Sequence, residues 1–138
     1  VDGSQGQSNL VSSAVHFGTL WPDNRYIVGE FYSSNENTFQ NYFHSVTLIF
    51  QENKIDFYIN NENTPHLSID PTLYPLNQYN YPFNRQYYLI INVAVGGNFD
   101  GGRVEPNEIC ANSTCSNFSD DPDKKRLLID WIEYEKIR

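Results

Sequence analysis

Hydrophobic and polar positions along the chain follow the two-residue period of β-strands. Residues 10–18 alternate loosely, and residues 27–33 form a short mixed run. Residues 42–50 and 54–60 flank the polar tripeptide Gln51-Glu52-Asn53, which predicts a β-hairpin. One face of each arm is apolar, because successive side chains of a strand point to opposite faces. These faces consist of Val46, Leu48 and Phe50 in the first arm and Ile55, Phe57 and Ile59 in the second.

The second half of the chain alternates long loops with apolar segments. Residues 70–85 contain three prolines and several asparagines, which predicts a loop. Residues 87–96 are almost continuously apolar and rich in β-branched side chains, which predicts a central strand covered on both faces. A polar loop follows over residues 97–125, and residues 128–134 are more typical of a closing strand than of a helix. About seven strands separated by turns predict an all-β sandwich.

Length and charge limit the classes of partner. The chain has 138 residues, which fits one domain, and 9 basic against 17 acidic side chains give a formal net charge of −8. A field of this sign disfavours nucleic acid and anionic membranes as the main partner. Aromatic residues make up 15% of the chain. Rings at this density suit both β-sheet cores and surfaces that stack on carbohydrates.

The cysteines and sequons indicate an oxidising compartment. Cys110 and Cys115 lie in a polar loop and allow one disulfide, and Asn112 and Asn117 each begin an N-x-S/T sequon. Together they predict a secreted protein, although two free thiols and two unmodified asparagines remain the alternative. The chain begins at Val1 and contains no methionine. We therefore expect that it has been processed and that an N-terminal part is missing.

A few polar residues lie in otherwise apolar surroundings. Asn92 interrupts the predicted central strand, so its amide is either hydrogen-bonded to a neighbouring strand or lines a polar cleft. His16 lies in a strand-like stretch, and a lone histidine is more often structural than functional. Trp21 either anchors its loop or stacks on a sugar ring. The chain has no E-x-D-x-E arrangement on a predicted strand, which would suit the carboxyl pair of a retaining glycosidase. Glu133 and Glu135 share a face, but they lie at the end of a predicted outer strand, where we expect them to be solvated.

These stretches, in this order, resemble glycoside hydrolase family 16, in its laminarinase-like branch of endo-β-1,3-glucanases. The resemblance spans nearly the whole chain, and residues 87–97 are its most specific part. The matching segments are SAVHFG at 13–18, WPDN at 21–24, FH at 43–44, KIDFYI at 54–59, PFN at 82–84, YYLIINVAVGGNF at 87–99 and LIDWIEY at 128–134.

The resemblance implies a β-jelly-roll sandwich of two curved antiparallel sheets, the concanavalin A-like fold, of which this chain supplies about half. Family members hydrolyse internal β-glycosidic bonds with retention, using two glutamates in a Glu-x-Asp-x-x-Glu type motif. The chain lacks this motif, which in the family lies just upstream of the segment that contains His16. Residues 1–138 therefore resemble the C-terminal part of one catalytic domain, without a second domain and without the catalytic carboxylates.

Individual site residues also follow from the resemblance. By position, His16 and Asn92 match residues of the sugar-facing concave sheet, and Trp21 and Phe99 resemble aromatic walls of the cleft. Asp130 matches an aspartate that in some members helps to hold a structural calcium ion. No cofactor is expected for catalysis.

The partners expected are a β-glucan and the N-terminal half of the same domain, as a separate or missing polypeptide. Half of a sandwich leaves unpaired strand edges and uncovered apolar faces, which the other half would cover. The alternative function is a non-catalytic β-1,3-glucan recognition module, because some relatives have lost the carboxylates. A β-sandwich that binds no sugar is a weaker third possibility.

Overall fold

The computed structural model describes residues 9–33, 39, 42–72, 76–79, 81–93 and 127–136. Its first element is a long hairpin of two strands, β1 (Leu10–Gly18) and β2 (Asn24–Tyr32). The strands pair antiparallel from Leu10 opposite Tyr32 to Gly18 opposite Asn24. Strand β1 confirms the prediction for residues 10–18. Strand β2 begins three residues before the predicted run 27–33.

The loop between β1 and β2 is closed by its own hydrogen bonds. The Thr19 hydroxyl donates to the Asp23 carbonyl at 2.8 Å, and the Asp23 amide donates to the Leu20 carbonyl at 3.0 Å. The peptide bond between Trp21 and Pro22 is cis. Gly18 has a φ of 89°, a left-handed conformation that glycine adopts without steric cost.

The second sheet contains the predicted hairpin and one further short strand. Strands β3 (Val46–Gln51) and β4 (Lys54–Ile59) pair antiparallel, and β5 (Leu67–Ile69) pairs antiparallel with β4. The order β3-β4-β5 puts β4 in the centre of this sheet. The register confirms the predicted hairpin. A short 3-10 helix, Leu76–Tyr79, lies within the segment predicted to be a loop.

The core lies between the two sheets and under the segment that follows them. Strands β1, β4 and β5 contribute its buried side chains together with residues beyond β5, and Ile27 and Phe57 pack against it. The buried members are Val15, Phe17, Ile55, Leu67, Ile69, Leu76, Tyr81 and Phe83. The sheets approach so closely at Gly29 that a Cβ atom there would lie 2.5 Å from the Leu67 Cβ and 2.9 Å from the His66 carbonyl oxygen. Only glycine fits this contact.

Residues 87–93 and 127–136 differ from their prediction. They contain no strand, and their apolar side chains are largely exposed, with Tyr88 at 92% and Ile90 at 79%. The predicted central strand is therefore absent over residues 87–93, and the predicted closing strand is absent over residues 128–134. An apolar run forms a covered strand only where neighbouring strands hydrogen-bond to both of its edges and other side chains cover its faces. Among the described residues no strand supplies these partners.

The described part of the chain is all-β apart from the 3-10 helix, with two antiparallel sheets and no α-helix. This confirms the predicted all-β class. The chain divides into two compact units, Val1–Tyr88 and Leu89–Arg138, and both sheets belong to the first. No helix within the described ranges is long and apolar enough to span a membrane.

Candidate functional site

The outward face of the β1–β2 hairpin brings together a histidine, an amide and an aromatic ring. Val15 and Phe17 point into the core, so the residues that alternate with them point outward, and these include His16. His16 is directly opposite Tyr26 in the register, and their ring centroids lie 5.6 Å apart. The Asn24 Nδ2 atom lies 3.2 Å from the His16 Nδ1 atom. We call His16, Asn24 and Tyr26 the His16 cluster.

The Asn24 contact determines which nitrogen of neutral His16 carries the proton. An amide nitrogen donates hydrogen bonds and does not accept them, so His16 Nδ1 is the acceptor and Nε2 holds the proton. His16 Nε2–H has no hydrogen-bond partner among the residues that the structure describes. The cluster therefore combines an N–H donor of His16, the half-buried carboxamide of Asn24 and the exposed ring of Tyr26 on one face of the hairpin.

Sequence reasoning identified His16 but missed Asn24 and Tyr26. The prediction began the second strand at Ile27, which left both residues in a loop. The feature that could have identified Asn24 and Tyr26 as neighbours of His16 was a hairpin around Trp21-Pro22. A five-residue loop centred on Trp21-Pro22 pairs residue 16 with residue 26 and residue 18 with residue 24.

Trp21 lies at the tip of the same hairpin, and its side chain is 84% exposed. Leu20 beside it is equally exposed, so the closed loop presents two adjacent apolar side chains to solvent. This exposure is at odds with the alternative that Trp21 anchors its loop by burial. The exposed indole is available for stacking, as the cleft interpretation requires.

The outward face of the hairpin carries one carboxyl group. By alternation its members are Leu10, which is buried, and Ser12, Ala14, His16, Gly18, Asn24, Tyr26, Val28, Glu30 and Tyr32. Among these ten residues only Glu30 is acidic, whereas a retaining glycosidase needs two carboxyl groups. Glu30 Oε2 accepts a hydrogen bond of 2.9 Å from the Tyr32 hydroxyl, and this bond raises the pKa of Tyr32. This face of the hairpin therefore does not by itself carry a carboxyl pair.

The remaining predicted site residues lie in the second unit or outside the described residues. Asn92 is exposed and lies in the second unit, outside any strand. Asp130 is also exposed, and within the described ranges no three His, Cys, Asp or Glu side chains are grouped so that they could hold a metal ion. The described residues thus do not by themselves form a calcium site around Asp130. Phe99, Cys110, Asn112, Cys115 and Asn117 lie outside the described residues.

A second histidine lies between the sheets, away from the His16 cluster. His66 Nε2 is 2.9 Å from the Ser13 hydroxyl, and the His66 ring lies close to the rings of Phe31 and Phe57. The Nδ1 atom is buried without a hydrogen-bond partner, and burial lowers the pKa of His66. This site is a contact between sheets rather than an open surface.

Comparison with known proteins relates the chain to a glucanase. It is similar to glucan endo-1,3-beta-glucosidase A1 of Niallia circulans, with 38% identity over 100 residues. These residues make up 70% of this chain but only 14% of that protein, so the chain spans a small part of the relative that it matches. No protein-family model matches the chain. No solved structure matches it either.

Proposed function

We propose that this chain is the sugar-binding part of a retaining endo-β-1,3-glucanase of glycoside hydrolase family 16. The observation that carries the proposal is the 38% identity to a glucan endo-1,3-beta-glucosidase. The outward hairpin face agrees with it, because exposed rings beside hydrogen-bonding groups match a sugar's apolar C–H faces and its hydroxyls. In this proposal His16, Trp21, Asn92 and Phe99 line the glucan cleft.

The same proposal assigns the two catalytic glutamates to an N-terminal part of the domain. That part would complete a jelly-roll sandwich with the two sheets of this chain. The exposed apolar side chains of residues 87–93 support this, because a further layer of polypeptide would remove them from water. The relative is also much longer than the matched segment, so it has room for such a part.

Activity of the full-length protein tests the proposal directly. We expect it to release reducing sugar from laminarin, a β-1,3-glucan, and to leave cellulose intact. The first product detected by NMR should have the β-configuration at its anomeric carbon, as retention requires. Absence of hydrolysis with any β-1,3-glucan would contradict the enzyme function. Tight binding without hydrolysis would instead support the glucan recognition module.

Further parts of the proposal concern secretion and the loop of residues 97–125. We propose a secreted protein with a Cys110–Cys115 disulfide, glycans at Asn112 and Asn117, and a structural calcium ion near Asp130 that also uses ligands from other parts of the domain. Mass spectrometry before and after reduction and deglycosylation tests the covalent features. Metal analysis of the purified protein tests the calcium ion.

A further inference from the structure

We propose that the Tyr26 ring is a stacking platform for one glucose unit of a β-1,3-glucan, and that His16 Nε2–H and the Asn24 carboxamide bind the hydroxyl groups of that unit. This deepens the proposed function and rests on it. The sequence pattern assigns no site role to Tyr26 or Asn24, although Asn24 ends the WPDN segment of the resemblance. Their role follows from the register of the β1–β2 hairpin, which joins both to His16.

The first step of the argument concerns the exposure of the ring. Tyr26 lies on a strand whose inward residues pack against the core, yet its own side chain is 63% exposed. The His16 ring lies against it at an interplanar angle of 34°. A large ring that is supported from one side and open to solvent suits the apolar C–H face of a pyranose.

The second step concerns the polar groups beside the ring. Asn24 orients His16 through the 3.2 Å contact to Nδ1, which fixes Nε2 as the donor. The Asn24 carboxamide also carries an acceptor, its Oδ1 atom. Neighbouring sugar hydroxyls each donate and accept hydrogen bonds, so a fixed donor and acceptor beside an aromatic surface match them. The site needs no charge, as expected for a neutral polysaccharide.

Tyr32 offers an internal control on the same strand. It faces the same side as Tyr26 and is 52% exposed, but its hydroxyl is engaged with Glu30 and no histidine lies opposite it. Tyr32 lies six positions after Tyr26, about 20 Å along the strand. If every exposed tyrosine on this face bound glucan, alanine substitutions of Tyr26 and Tyr32 would weaken glucan binding equally.

The test measures co-sedimentation of the full-length protein with insoluble β-1,3-glucan at 4 °C. We expect Tyr26→Ala and Tyr26→Leu each to raise the apparent Kd about 5- to 10-fold, and Tyr26→Phe to stay within about twofold of the parent. Tyr26→Leu keeps an apolar side chain on the strand and guards against misfolding of the alanine variant. Tyr32→Ala is expected to stay within about twofold. Asn24→Ala should weaken binding by about threefold or more, because His16 loses its orienting contact.

The outcomes separate this inference from the proposed function. If the parent protein binds and hydrolyses the glucan but Tyr26→Leu binds as the parent does, the platform is wrong and the proposed function stands. If Tyr32→Ala weakens binding as much as Tyr26→Ala, the specific role of the His16 cluster is wrong. If the parent protein neither binds nor hydrolyses β-1,3-glucan, the proposed function is wrong and the platform is overturned with it.

Discussion

His66 lies between the two sheets, where burial disfavours the charged form of its ring. Its ring contacts Ser13 of β1 and lies near Phe31 of β2 and Phe57 of β4, so one side chain connects three strands. Burial lowers the pKa of His66 from its usual value of 6.5, and the nearby charge of Glu62 opposes this only in part. The folded protein therefore favours the neutral ring.

This preference predicts a loss of stability in acid. Above the unfolded pKa of about 6.5 the ring is neutral in both states and contributes no pH dependence. As the pH falls below that value the unfolded chain takes up a proton before the folded protein does, so stability decreases until the lowered folded pKa is reached. Thermal unfolding at pH 7.5 and pH 5.5 measures the effect.

The variant is His66→Gln, and its control is Ser12→Ala, which removes no titratable group. His66→Gln should melt with a smaller difference between the two pH values, because glutamine can hydrogen-bond Ser13 without titrating. Ser12→Ala, on the exposed outward face of β1, should keep the full difference. An equal pH dependence in the parent and in His66→Gln would show that His66 is not the group responsible.

At the scale of the strands, the contact between β2 and β5 depends on the absence of a side chain at Gly29. A Cβ atom there would meet the Leu67 Cβ and the His66 carbonyl oxygen at distances that real contacts do not reach. The backbone atoms in this contact cannot move aside as a flexible side chain could. The sheets would therefore have to separate to accept any larger residue.

We expect Gly29→Ala to lower the free energy of unfolding by about 1–3 kcal/mol, the usual cost of overpacking. Urea denaturation of the full-length protein measures it through the transition midpoint. Ser12→Ala on the outward face of β1 is the control and should change the free energy by about 0.5 kcal/mol at most. A Gly29→Ala midpoint equal to that of the control would contradict the close packing of the two sheets.

The strands differ in how far the sequence alone could predict them. The β3–β4 hairpin was predictable because alternation and a polar turn coincide, and both signals are local. The start of β2 was not, since Asn24 and Arg25 are polar and the preceding Pro22 suggests a loop. The His16 cluster depends on the pairing of β1 with β2, which a local pattern does not specify. The strand at residues 87–96 was predicted from hydrophobicity alone. Hydrophobicity indicates that a segment is buried, but it does not show which other segment covers that segment.

At the scale of the whole molecule, apolar surface and net charge point to different kinds of partner. The net charge of −8 disfavours polyanions. Neutral glucan avoids this repulsion, and so does an apolar layer of polypeptide.

In the second sheet, Ile55, Phe57 and Ile59 of β4 are largely covered, whereas their partners in the register on β3 are exposed on the same face. These partners are Val46, Leu48 and Phe50. The core-facing side of this sheet is thus covered at its centre and open at β3.

If further polypeptide completes the sandwich in the full-length protein, it should cover β3 on this side. Leu48→Asp would then lower the free energy of unfolding by about 2–4 kcal/mol, because it removes a buried leucine and buries a carboxyl group. Thr47→Asp, at the adjacent exposed position whose side chain points to the opposite side of the sheet, introduces the same residue and should cost about 0.5 kcal/mol or little more. Urea midpoints of the two variants measure the difference. Equal, small effects would mean that Leu48 remains in water in the full-length protein and that no second half of the sandwich packs on β3.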